Sequence, residues 1–216
     1  MHRRTALTVS AALLAAAPLL TACGSDAHPG AAAVVGGERI EVSSLQAQVE
    51  DVRAAQAASP QSAQLVAATG DLGRRKLNVM IFDRVVDKVA RDNGVSATRA
   101  ELQKTRASFV QQAGGEDQLK AVLLQEQGVA PDQIDGFVRR NVLMNKIAEK
   151  LGVTDNAEGQ KKLTEVFSAA SKDLAVDVNP RYGRWDDAQV RLDTGYDGAP
   201  WLRQISQDPA AVPAGA

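Results

Sequence analysis

The side chains that most often carry catalysis or bind metals are scarce in this chain. Its 216 residues include one cysteine and two histidines, and both histidines, His2 and His28, lie near the N-terminus. A zinc site needs several Cys, His or carboxylate ligands, and Ser-His-Asp or Cys-His catalysis needs a histidine beside the nucleophile. The sequence therefore predicts no catalytic residue, no metal site and no cofactor.

Two other patterns could in principle carry chemistry. Carboxylate pairs at 116–117 and 186–187 could exchange protons with a substrate, but acidic residues also favour first helical turns and surface turns. Glycine pairs at 36–37 and 114–115 lack the Lys and Ser/Thr of a phosphate-binding loop. We interpret the acidic pairs as solvated surface and the glycine pairs as a turn and a helix end.

The single cysteine, Cys23, follows a segment with the composition of an export signal. Arg3 and Arg4 precede an apolar stretch over 6–20, which is shorter than the roughly 20 residues of a membrane-spanning helix. The sequence Leu-Thr-Ala-Cys at 20–23 resembles the lipobox of bacterial lipoproteins, in which a peptidase cuts before an acylated cysteine. We expect 1–22 to be a lipoprotein signal peptide and Cys23 to be the lipidation site. The alternative is an ordinary secretory signal followed by an unrelated cysteine.

Acylation of Cys23, for example with palmitate, would hold the chain on a membrane without spanning it. Each buried methylene contributes about 0.8 kcal/mol, so two or three acyl chains anchor a protein stably. The expected location is the extracytoplasmic face of the cell membrane, with residues 23–32 as a flexible tether. A formal net charge of −1 and the lack of a basic block predict no nucleic-acid partner.

Composition and periodicity predict a mainly α-helical domain over residues 33–187. Aromatic residues make up only 4% of the chain, and a core of Leu, Val, Ile and Ala suits helix packing. Apolar spacing of three and four predicts helices over 43–58, 74–93, 98–113, 116–127, 131–151 and 154–174. Predicted helix caps are Ser43 or Ser44, a Thr98–Glu101 capping box, and Thr154. A short, less regular helix is expected between 57 and 73.

The two ends of the domain are predicted to form a small β-ribbon. Residues 33–42 place two β-prone stretches around a Gly-Gly pair, which is typical of a tight turn. Residues 175–179 alternate with a period of two, and 180–185 continue in extended form. An isolated ribbon is marginally stable, so we expect the late strand to pair with the early one. Prolines and glycines predict a disordered tail over 188–216.

The order of these elements resembles the N-terminal chaperone domain of the SurA family and of its PrsA-type lipoprotein relatives. The similarity rests on the opening Val-Val-Gly-Gly-Glu-Arg-Ile at 34–40, the helix junction at 94–96, the helix over 133–151 and the closing segment 179–185. The resemblance implies a SurA N-terminal-like helical domain with an apolar surface for unfolded proteins.

The sequence departs from this family in one respect. A parvulin prolyl isomerase domain commonly lies before the closing helix, but here residues 151–155 lead almost directly into that helix. No room remains for a domain of about a hundred residues, and the predicted domain has no histidine for a parvulin site. The resemblance therefore implies a non-enzymatic, chaperone-like lipoprotein whose partners are unfolded or partly folded exported proteins. A degenerate prolyl isomerase and an adaptor lipoprotein with one specific envelope partner are the alternatives.

Flexible or broad apolar side chains are candidates for contacts with client proteins, because such side chains accept varied partners. They are Met80, Phe82, Phe109, Phe137 and Met144. Core packing is the alternative role for each of them. A second cluster at 181, 182 and 185 is expected to fix the β-ribbon onto the helices.

Overall fold

The computed structural model describes residues 29–154 and 156–193, which form a mainly helical fold with two small sheets. The helices are α1 Val42–Ala57, α2 Ser62–Ala67, α3 Leu72–Asp92, α4 Arg99–Ala113, α5 Glu116–Val122, α6 Ile134–Lys150 and α7 Ala157–Asp173. The strands are β1 Ala31–Val35, β2 Glu38–Glu41, β3 Asp177–Val178, β4 Arg184–Asp186 and β5 Arg191–Asp193. The predicted fold class is confirmed, including the short helix between 57 and 73.

The first sheet joins the two ends of the domain, as predicted. Strand β1 pairs antiparallel with β2 on one side and with β3 on the other. Gly36 and Gly37 form the turn with φ angles of 60° and 78°, which residues with a Cβ rarely adopt. The strand begins at Ala31, inside the segment predicted as a tether, because Ala31 pairs with Glu41 and is fully buried.

The second sheet was not predicted. Strands β4 and β5 pair antiparallel, with Trp185 opposite Leu192, and Val190 and Leu192 are buried against the main core. The folded part therefore extends to at least Asp193, and the predicted start of the tail at 188 is wrong. Residues 180–182, predicted to be extended, form a 3-10 turn.

Helix caps were predicted with mixed success. The Thr98–Glu101 capping box is present. Neither Ser43 nor Ser44 caps α1, because that helix begins at Val42 directly after β2 and has no side-chain cap. The cap of α7 is Asn156 rather than the predicted Thr154, and its side chain accepts a hydrogen bond of 2.8 Å from the Gly159 amide.

Helix α3 is the centre of the fold. It contacts α1, α6, α7, β1 and β5. Leu77, Ile81 and Val85, spaced four residues apart on one face, have no exposed surface. Full burial of such a side chain contributes about 1.5–3 kcal/mol. The core around α3 therefore fixes the helices and β5 in place.

Among the described residues, no helix is long and apolar enough to cross a membrane.

Candidate functional site

The structure places the five candidate client-binding residues on two separate core clusters. Met80, Phe82 and Met144 are partly buried against the main core, whereas Phe109 and Phe137 belong to a second core between α4, α5 and α6. The Phe82 ring stacks on Phe167 with centroids 5.9 Å apart, and the Phe109 and Phe137 rings lie 5.8 Å apart. Each of the five candidate residues packs against a hydrophobic core, as expected if its role is core packing. A role in client binding stays a prediction.

A cavity of about 380 Å³ lies beside the first half of α3. Its walls come from α3, α6, β5 and the segment that follows α5. Apolar side chains on these elements line part of the cavity: Leu72, Val79, Val129 and Leu192. Strand β5 is held against α3 by a hydrogen bond of 2.6 Å from the Leu192 amide to Asn78 Oδ1. The unpredicted second sheet therefore completes this cavity.

Basic side chains line the cavity together with the apolar ones. Five basic side chains line it: Arg74, Arg75, Lys76, Arg140 and Arg191. Asp71 is the one acidic residue among the described residues that line it. Of the basic residues, Arg140 is paired with Asp83 at 2.8 Å, while Arg74, Arg75 and Arg191 form no ion pair with any described residue. The described lining therefore carries more cations than carboxylates, and we call this cavity the basic cavity.

Lys76 lies deeper than the arginines. Only 5% of its surface is exposed, and its ammonium donates a hydrogen bond to Gln133 Oε1. Burial, and then the nearby charges of Arg140 and Arg75, lower the pKa of Lys76 to about 8. Gln133 Nε2 in turn donates to the Gln48 carbonyl at 2.8 Å. Lys76 is thus an ammonium group held in the wall of the cavity by a neutral partner.

A second, smaller cavity of about 230 Å³ adjoins the first, because both are lined by Lys76, Val79, Val129 and Arg140. Its other charged residues are acidic: Asp51, Asp83 and Asp132. Phe137 also lines this second cavity, and the Arg140 guanidinium lies 5.6 Å from the centroid of its ring. Burial raises the pKa of Asp83 despite its ion pair with Arg140. Phe137 is therefore the candidate client-binding residue that adjoins the basic cavity.

Sequence reasoning missed the basic cavity. The run Arg-Arg-Lys at 74–76 was a visible signal at the start of a predicted helix. Arg140 and Arg191 gave no such signal, because they approach this run only through the packing of α6 and β5 against α3. Within the described ranges, no group of three or more His, Cys, Asp or Glu side chains could hold a metal ion.

Comparison with known proteins identifies a family for most of the chain. A family model described as the SurA-like N-terminal domain matches residues 2–154. The match ends before α7 and the strands that follow it, so β5 and its arginine lie outside the matched part. No curated protein and no solved structure matches the chain.

Proposed function

The chain belongs to the SurA-like N-terminal domain family, and from this premise we propose that it is a membrane-anchored lipoprotein that binds unfolded or partly folded exported proteins without prolyl isomerase chemistry. The family is of the chaperone type, associated with periplasmic folding factors. The family match over 2–154 is the observation that carries the proposal. It confirms the resemblance that the sequence alone indicated.

The surface beside α3 supports a binding role. An apolar patch with a polar rim can hold a short extended segment through burial of its side chains and through hydrogen bonds to its main chain. The basic cavity and the adjoining acidic cavity together offer such a surface. No nucleotide-binding motif was found in the sequence, so a binding cycle would depend on weak and rapidly exchanging contacts.

The absence of isomerase chemistry is part of the proposal. Helix α6 ends at Lys150 and α7 begins at Ala157, at the place where the family commonly carries a parvulin domain. The histidines of the chain are confined to positions 2 and 28. We expect no acceleration of cis-trans isomerisation in a proline-containing peptide above the uncatalysed rate, which is on the order of tens of seconds or slower. Acceleration by the purified chain would instead identify a degenerate isomerase.

The anchor is also part of the proposal, and Cys23 lies outside the described residues. Eight positions separate Cys23 from Ala31, the first residue of β1. Even fully extended, they span at most roughly 28 Å, so an acylated Cys23 would keep Ala31 within that distance of a membrane surface. Metabolic labelling with an alkyne analogue of palmitate should mark the chain. Labelling that persists in Cys23→Ser would contradict the proposed site.

Crosslinking in cells distinguishes a chaperone from an adaptor. A protein that binds unfolded segments should capture many exported proteins, each at low yield, because weak apolar contacts are sequence-tolerant. An adaptor should capture one envelope protein at high yield. Recovery of a single stoichiometric partner, with no other exported proteins enriched, would replace the proposed chaperone function by the adaptor function.

A further inference from the structure

We propose that the basic cavity beside α3 binds acidic segments of unfolded polypeptides, in which carboxylate side chains alternate with apolar ones. This inference rests on the proposed function and names the class of client segment that the chain prefers. It depends on the composition of the cavity and on three of its arginines, Arg74, Arg75 and Arg191, which form no ion pair within residues 29–154 and 156–193.

The charge of the cavity is the first argument. Arg74, Arg75 and Arg191 have no ion-pair partner among the described residues, and Lys76 donates only to the neutral Gln133 side chain. Asp71 is the acidic residue that the described lining provides against these cations. An arginine can bind a carboxylate through two parallel hydrogen bonds, which is a geometry that lysine cannot supply. The excess charge therefore complements a carboxylate.

The position of these cations at the start of α3 is the second argument. The N-terminus of a helix carries a partial positive charge, so basic residues there are unfavourable and acidic residues are favoured. Helix α3 has Asp71 at its N-cap, where the side chain makes no capping hydrogen bond, and its first turn carries Arg74 and Arg75 but no acidic residue. Two cations thus stand against one carboxylate at this end of the helix. The helix terminus and the arginines together raise the local positive potential, which an anion would relieve.

The size and lining of the cavity are the third argument. A volume of about 380 Å³ lies near the lower end of the range of about 300–1,000 Å³ found for ligand pockets. This volume admits a few side chains but not the acyl chains of a phospholipid. The lining combines the cations with four apolar side chains, which are Leu72, Val79, Val129 and Leu192. A carboxylate flanked by apolar side chains matches both features.

The test compares three short peptides that differ only in charge. One carries glutamates between leucines, and in the other two the glutamates are replaced by glutamine or by lysine. Each peptide bears a neutral dye, and its binding to the chain from Gly24 to Ala216, which contains the whole described fold, is measured by fluorescence anisotropy. We expect the acidic peptide to bind about tenfold more tightly than the lysine peptide, which corresponds to about 1.4 kcal/mol. At about 1 M salt, where the screening length is about 3 Å, most of this preference should disappear.

Two double variants, each of which removes two positive charges, test whether the preference for the acidic peptide arises at the basic cavity. Arg75→Gln/Arg191→Gln removes two cations of the cavity, and we expect it to bring the acidic and lysine peptides to within about twofold of each other. The control, Arg91→Gln/Arg99→Gln, removes two exposed arginines that lie outside the cavity and should keep the preference. An equal loss of preference in both variants would show a general charge effect and overturn the proposal.

Two other possible occupants of the cavity, the chain's own residues 194–216 and anionic lipid, would each give a different result. Truncation after Asp193 should leave the affinity for the acidic peptide unchanged; a gain of about tenfold would assign the cavity to residues 194–216 of the chain itself. Vesicles of anionic lipid that displace the acidic peptide, while neutral vesicles do not, would assign it to a membrane surface. Either result overturns the proposal.

The inference and the proposed function fail separately. If the chain prevents aggregation of an unfolded client but shows no preference for the acidic peptide, the inference is refuted and the proposed function stands. If the acidic peptide binds selectively but aggregation is not prevented at any ratio, the preference of the cavity for acidic segments stands and the proposed chaperone function is overturned.

Discussion

Replacement of Lys76 by methionine should stabilise the protein at neutral pH. Lys76 is 5% exposed, and its burial beside Arg140 and Arg75 lowers its pKa from 10.5 to about 8. A buried ammonium that has only a neutral hydrogen-bond partner pays a desolvation cost. Methionine has similar length and no charge, so it can occupy the same buried position on α3.

The expected gain follows from two opposing effects. A pKa lowered by this amount corresponds to at most about 3 kcal/mol of lost stability while the lysine is protonated. Substitution also removes the hydrogen bond to Gln133, and a bond that involves a charged group contributes about 1.5–3 kcal/mol. Gln133 Oε1 would keep the Ala130 amide as a donor at 3.3 Å, so it would not be left unsatisfied. We therefore expect Lys76→Met to raise the free energy of unfolding by about 1 kcal/mol near pH 7.

The gain should depend on pH in a defined direction. The unfolded chain keeps the Lys76 proton up to about pH 10.5, whereas the folded chain releases it near pH 8. Between these values the unfolded state binds more protons, so the wild-type protein gains stability as pH rises. The advantage of Lys76→Met is therefore full below pH 8 and shrinks as pH rises toward 10.5.

Urea unfolding of both proteins between pH 7 and pH 10 measures this difference, and titration of all other groups cancels in the comparison. The control is Lys104→Met, at an exposed position of α4, which should change stability by less than about 0.5 kcal/mol. Destabilisation by Lys76→Met of more than about 1 kcal/mol at pH 7, or a difference that does not vary with pH, would refute this reasoning.

Further substitutions test the packing of the C-terminal elements and of α4. Ser171→Ala removes the acceptor of the Trp185 indole N–H, bonded at 2.7 Å in the core, and the hydroxyl that donates to Asp187 Oδ1. It should cost about 1–3 kcal/mol, and the same change in a Trp185→Phe background should cost less, because only the bond to Asp187 is then lost. Gly183→Ala places a Cβ 2.6 Å from a backbone oxygen of β5 at a φ of 119°; we expect a loss of at least about 2 kcal/mol, and an unchanged melting temperature would contradict the β4–β5 pairing. Hydrogen bonds from Lys146 and then from Thr98 lower the pKa of Glu101 to about 2. The free energy of unfolding of wild type should therefore exceed that of Glu101→Gln above pH 4.5, and this difference should be lost as pH falls toward 2.

The helices could be predicted from the sequence because their signals are local. Apolar residues at three- and four-residue spacing on α3 and α6 face the core, and the Thr98–Glu101 capping box lies within one turn. The pairing of β1 with β3 was also accessible, because an isolated ribbon would be marginal and the alternating residues at 175–179 needed a partner.

Features that depend on distant contacts could not be predicted in the same way. Strand β5 has three residues, and Leu192 is fixed by Asn78, which lies 114 positions earlier in the chain. The α7 cap at Asn156 rather than Thr154 depends on the exact point at which the helix begins. The basic cavity combines residues of α3, α6 and β5 whose proximity no local pattern records. The sequence thus indicated the family and the helices, but not the surface on which the proposed selectivity rests.

Suppression of aggregation tests the central claim most directly. The chain from Gly24 to Ala216 is added in varied ratio to a chemically unfolded exported protein, and light scattering is followed after dilution from denaturant. The account predicts suppression at a near-stoichiometric ratio, weakened by Phe137→Gln in a variant whose circular dichroism and melting temperature match those of wild type. Scattering that is unchanged at several-fold excess of the chain would contradict the chaperone function.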